Sequence, residues 1–226
     1  MSGLALRPAS VRLADDKSLN PAQEPSGDDI RYRRRLGEAA WQRLPAAVRR
    51  RFSAHLADGE QKIYRGDVVV MEMSRAGWLF AQAVRLVGAP LPFTRDALGA
   101  TVVVVTEAGD RGGQIWSRSY PRPGRFPQVI HSLKRFAGPT GLEEYLGLGF
   151  VMRLSLHEEA GQLVFRSAGY CLQLGRMTVR LPEWLEPGRC TVTHRNETDE
   201  RFSFTLTLEH RWFGRLLHQV AFFQEW

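Results

Sequence analysis

The chain has 226 residues, 43% of them apolar and 24% charged, with a formal net charge of +7, two cysteines and six histidines. Such a length and apolar share supply a sizeable core for one large domain or two small ones, which excludes a wholly disordered chain. No window approaches the roughly 20 consecutive apolar residues of a membrane-spanning helix.

Residues 1–29 lack an amphipathic period and collect Pro, Ser, Asp, Asn and Gly, so a disordered tail is expected there, followed by one domain over 30–226. Leu4, Ala5 and Leu6 run straight into Arg7 and Pro8 with no apolar stretch behind them. Secretion is therefore disfavoured, and a cytoplasmic location is the expectation. Asp28 or Asp29 is placed to cap a helix through Tyr32, Leu36, Ala40 and Trp41, and Pro45 opens a second through Val48, Phe52 and Leu56. Together these helices suggest a lid or plug. Asp58-Gly59 ends them, Gln61 to Met73 forms a first strand, and Arg75 to Val87 forms a third helix that Gly88, Pro90 and Pro92 stop.

Beyond this point the period becomes two. Between Arg201 and Trp212, the residues Phe202, Phe204, Leu206, Leu208, His210 and Trp212 alternate with polar ones, the signature of a half-buried strand. Similar segments span Ala100–Glu107, Gly113–Tyr120, Pro127–Phe136, Gly149–His157, Gln162–Leu172, Arg176–Leu181, Cys190–Arg195 and Leu216–Phe223, joined by turn-like connections. The fold class expected is α+β, mainly β: an antiparallel barrel or strongly curved sheet of about 8–10 strands with N-terminal helices packed on it. Cys171 and Cys190 fall within strands and read as small core residues.

Few residues point to chemistry. One face of Gly113–Tyr120 carries Gln114, Trp116, Arg118 and Tyr120; the other carries Ile115, Ser117 and Ser119. If the first face points inward, it offers a Trp wall and an Arg that can grip a carboxylate or phosphate; if outward, it is a solvated strand face. Glu144 is a candidate for a carboxylate opposite Arg118 across the barrel. His131 and His210 are weaker acid–base candidates, the latter on the apolar face of the long strand. Arg153 reads as outward. The histidines show no HxH or HExxH spacing and no neighbouring Cys cluster, so no metal is expected, and no cofactor, since no strand-associated GxGxxG occurs. The net positive charge is spread along the chain without an aromatic-plus-basic platform, which disfavours nucleic acid.

Several short motifs in order resemble a bacterial family of unknown function, the DUF4166 domain. They include Leu44-Pro45, Tyr64-Arg65-Gly66, Gly88-Ala89-Pro90-Leu91-Pro92 and Trp116-Ser117-Arg118. Glu144-Tyr145-Leu146-Gly147, Leu181-Pro182, Leu185-Glu186-Pro187, Arg201-Phe202-Ser203-Phe204 and Phe213-Gly214-Arg215-Leu216 follow. The chain departs from the pattern at Tyr120, displaced from its usual place after the Trp-x-Arg, and at His218-Gln219. The resemblance implies a domain without established activity, whose relatives accompany NAD-dependent epimerase-like or saccharopine-dehydrogenase-like partners.

The function expected is binding of a hydrophobic or lipid-like small molecule, with an acid among the options, in a barrel cavity. Trp116, Phe202, Phe204 and Trp212 would supply apolar wall, and Arg118 an anionic anchor. The first alternative is a cyclase- or isomerase-type enzyme of secondary metabolism that uses Glu144, His131 or His210 for proton transfer. The second is a protein- or membrane-surface module in which Trp41, Phe52 and the arginines of 31–51 form an interfacial helix.

Overall fold

A computed structural model describes residues 30–57, 59–88, 90–108, 113–122 and 124–226; the expected tail and the helix cap at Asp28 or Asp29 lie outside the described residues. Three short helices, α1 (Arg31–Leu36), α2 (Glu38–Arg43) and α3 (Ala46–Ser53), lead into strand β1 (Gln61–Met73). The first expected helix is thus two, because Gly37 at φ 85° breaks the helical path between them. Helix α4 (Arg75–Ala83) is capped by the Ser74 hydroxyl, which accepts from the Gly77 amide, and tightens into a 3-10 turn that ends at left-handed Gly88.

The remaining strands are β2 (Gly99–Glu107), β3 (Gln114–Tyr120), β4 (Gln128–Arg135), β5 (Glu143–Gly147), β6 (Phe150–Glu159), β7 (Gln162–Leu174), β8 (Met177–Arg180), β9 (Arg189–Asn196), β10 (Arg201–His210) and β11 (Gly214–Glu225). All pairings are antiparallel, and ten strands close a ring: β1 through β7 in order, then β9, β10 and β11, which returns to β1. Strand β7 is shared, since Leu163–Arg166 pair with β9 and Cys171–Leu174 with the four-residue β8, which hangs outside the ring. Closure leaves the ring no free edge, and among the described residues only the short, exposed β8 offers one. Strand β5 was not foreseen. It has five residues, two of them glutamates, and makes no visible alternation.

Antiparallel winding places alternate connections at the same end. Helices α1–α3 pack at the end where β1 starts; Tyr32, Trp41, Leu44, Val48 and Phe52 join Leu154, Leu163 and Phe165 in one buried cluster. At the opposite end α4 lies against β11, where a Cβ at Gly77 would overlap the Leu216 carbonyl oxygen. Between the two ends, Tyr64, Val103, Val105, Ile130, Phe202 and Phe223 fill one side of the interior.

Candidate functional site

The interior is not completely filled. A chamber of about 80 Å³ lies at mid-barrel, lined by Phe52, Trp116, Phe165, Phe204, Ala221 and Phe223, with Arg118, Lys134 and Glu144 on one wall. A second chamber of about 310 Å³ continues toward the α4 end. Arg118, Glu144, Cys190, Val192 and Leu206 line both, so the charged wall stands at their junction. The larger chamber is walled by Phe80, Leu91, Phe150, Met152, Leu185 and Leu208.

Period-2 geometry explains how the charges reach this position. On β3, Gln114, Trp116, Arg118 and Tyr120 share the inward face; Gln114, Trp116 and Tyr120 are buried. On β4 the inward set is Gln128, Ile130, Ser132 and Lys134, and β4 pairs with β5 so that Lys134 faces Glu144. Arg118 donates to the Ser132 hydroxyl at 2.8 Å and stands 3.7 Å from the Glu144 carboxylate, while Lys134 Nζ is 3.4 Å from the same Oε1. The ammonium also lies 4.6 Å from the Trp116 ring centre. Glu144 is therefore a neighbour of Arg118 two strands along the wall, not a group facing it across the barrel, because β4 carries Lys134 in between.

Two cations thus meet one carboxylate in an apolar enclosure. Burial alone would raise the Glu144 carboxyl, but Lys134, Arg118 and the Ser132 hydroxyl hold it below its ordinary value. Burial pulls the Lys134 ammonium below its ordinary value against the opposing pull of Glu144, and Arg118 adds to the descent. Two donors on the same wall, Arg118 Nε and Trp116 Nε1, are buried without a hydrogen-bond partner. Cys190, between the chambers, is an inert thiol pushed up to about 12 by burial.

The other sequence candidates lie elsewhere. Phe204 lines the inner chamber, and Phe202 stands one layer back, fully buried and stacked on Phe223 at 5.7 Å between centroids. Trp212 does not line the cavity: β10 stops at His210, so Trp212 falls in the turn before β11 and is 61% exposed. His210 sits beside it at the outer rim, accepting from the Trp212 amide. His131 is on the outer face of β4, 2.8 Å from the Ser117 hydroxyl. Neither histidine reaches the charged wall. Arg153 points outward as expected, 4.0 Å from Glu143. Trp41 and Phe52 are buried against the barrel, so neither is presented to an interface at the helical end.

Two residues of the site escaped sequence reasoning. Lys134 is visible in retrospect as the last member of the inward set Gln128, Ile130, Ser132, but a lysine near a strand end ordinarily reads as solvated. Gln219, paired with the Tyr120 hydroxyl at 3.3 Å on the chamber wall, is one of the positions where the chain departs from the family pattern.

The family model described as a domain of unknown function (DUF4166) matches residues 44–223, which takes in every strand of the ring and all of the charged wall. Comparison with curated proteins and with solved structures finds no match.

Proposed function

The chain belongs to the DUF4166 family, a domain of unknown function, and from this premise we propose that its barrel binds an amphipathic acid whose chain fills the outer chamber and whose anionic head meets Arg118 and Lys134 at the junction with the inner one. The observation that carries this reading is the surplus cation beside the unpartnered Arg118 Nε and Trp116 Nε1 in an otherwise apolar enclosure. A buried charge without a counter-ion is costly, and a carboxylate or phosphate oxygen would neutralise it and accept from both free donors. The outer chamber, at about 310 Å³, falls at the lower end of the roughly 300–1,000 Å³ usual for small-molecule sites.

The experiment compares decanoate with its neutral counterpart decanol by titration of intrinsic tryptophan fluorescence, Trp116 being on the wall. Decanoate is expected to bind more tightly, and Arg118→Met to weaken it by about 10–100-fold, the worth of a hydrogen-bonded charge contact, while decanol binding hardly changes. Equal binding of acid and alcohol, with no effect of Arg118→Met, would overturn the proposal.

A further inference from the structure

The end of the barrel where the outer chamber lies is unusual for its surface. In the antiparallel ring this end collects the 3-10 turn after α4, the β3–β4 loop, the β5–β6 turn, the β7–β8 turn, the β8–β9 loop and the β10–β11 turn. Each of these connections displays a large apolar side chain to solvent: Leu86 (83% exposed), Phe126 (92%), Leu148 (69%), Met177 at the start of β8 (65%), Trp184 (59%) and Phe213 (63%). Their proximity is fixed by contacts between the connections. A Cβ at Gly88 would lie 2.7 Å from the Leu146 carbonyl oxygen, the Gln173 amide donates to Gly149 at 2.8 Å, and a Cβ at Gly188 would collide with Glu209. At the helical end, among the described residues, the exposed large apolar side chains are Ile30 and Trp226. Soluble surfaces rarely gather so many in one zone without a partner.

Charge identifies what would cover them. The exposed arginines of this end, among them Arg75, Arg85, Arg95, Arg176, Arg180, Arg211 and Arg215, outnumber the exposed carboxylates of the same segments, Glu72, Asp96, Glu183 and Glu209. The guanidinium of Arg211 lies 4.0 Å from the Trp212 ring centre, joining a cation to an aromatic at one turn tip. Aromatic and aliphatic side chains that enter a headgroup layer, interspersed with arginines that stay with the phosphates, are the requirements of an anionic bilayer surface. We infer that the α4 end of the barrel docks on an anionic membrane surface, with the outer chamber facing the lipid. The surface stands on its own geometry, and only its purpose, exchange of an amphipathic acid between bilayer and cavity, rests on the proposed function. The wall of the chamber is continuous with this face, since Leu185 lines the chamber and is itself 52% exposed.

The test uses the intact chain and sedimentation with sucrose-loaded vesicles, made either of phosphatidylcholine alone or of phosphatidylcholine with phosphatidylglycerol. Docking predicts sedimentation with the anionic vesicles that weakens as salt is raised. Trp212→Ser combined with Phe213→Ser should lower the affinity about tenfold or more, whereas Arg50→Gln, which removes an exposed charge at the helical end, should leave it within about twofold. Trp184→Ser, on a separate connection, supplies a second reading should the double variant lose its thermal transition. Absence of sedimentation with anionic vesicles at low salt would overturn the inference. So would sedimentation that the rim variants leave unchanged, or a concentration-dependent dimer that they abolish in a protein indifferent to vesicles. Vesicle docking without preference for decanoate would sink the ligand reading alone, and decanoate binding without vesicle docking would sink this inference alone.

Discussion

The two ends of the barrel are built from the same materials and put them to opposite uses. At the helical end aromatic rings and arginines are locked together inside: Tyr32 meets Phe52 edge-on at 5.2 Å, Arg51 lies over Phe202 at 4.0 Å, and Arg31 over Phe136 at 4.5 Å. At the α4 end the same kinds of side chain stand in solvent, as in Arg211 over Trp212. A basic, aromatic composition therefore cannot say where a protein interacts. What distinguishes the ends is whether an element of the chain covers the rings. Helices α1–α3 act as a stopper at one end, and at the other a single short helix leaves most of the loop tips uncovered.

The contrast breaks most sharply at Phe52. It reaches from α3 into the inner chamber and touches Tyr32, Phe165 and His194, so Phe52→Ala should cost about 3–5 kcal/mol in urea denaturation. A loss well below this would mean that the stopper does not hold the barrel. Next is the charged wall. Glu144→Gln leaves Arg118 and Lys134 without a counter-charge and should cost about 3 kcal/mol, with part of the loss restored by decanoate.

The helical end should also show an acid sensitivity of its own. Burial, with help from Arg51, lowers His194 to about 3 from an ordinary value of 6.5. The unfolded imidazole thus takes up a proton below about pH 6.5, and the folded one only near pH 3. The stability tied to the neutral ring is complete above the higher value and declines as pH falls toward the lower, by about 1.4 kcal/mol per pH unit for one such group. His194→Gln should flatten that part of a stability–pH curve, and an unchanged slope would assign it to other groups. The smallest effect belongs to the exposed tips: Phe213→Ala should shift the thermal midpoint by an amount equivalent to no more than about 0.5 kcal/mol, even though the same turn is expected to dominate vesicle affinity.

Much of this architecture was legible in the residues, because alternation survives wherever one face of a strand is buried. All ten strands expected from alternation or a continuous apolar run are present, most within two residues of their bounds, and β-barrel closure follows from the need to hide edges. The inner face of β3 was not legible. Gln114, Trp116, Arg118 and Tyr120 are as polar a set as Ile115, Ser117 and Ser119, and only the ring of neighbours decides which points in. Trp212 misled for a different reason. The period continues through it, but the pairing of β10 with β11 shifts register after Leu208 and the chain turns at Arg211, which carries the ring out of the interior. Lys134 was hidden by its own chemistry: a lysine is inside only when something pays for it, and Glu144 belonged to a strand that had left no trace in the pattern.

The pairing of β1 with β11 joins the first and last strands of the barrel, Tyr64 opposite Glu225 at one extreme and Met73 opposite Leu217 at the other. Contacts between segments so distant in sequence form late and slowly, since the entropy of closing most of the chain into a loop is lost before any reward is gained. Until β11 arrives, β1 and β10 each present an unpaired edge to the surroundings, and a chamber wall that includes Gln219, Ala221 and Phe223 is missing. Folding should therefore be all-or-none and unhurried, with the cavity appearing only in its final step, so that no partly assembled barrel can hold a ligand.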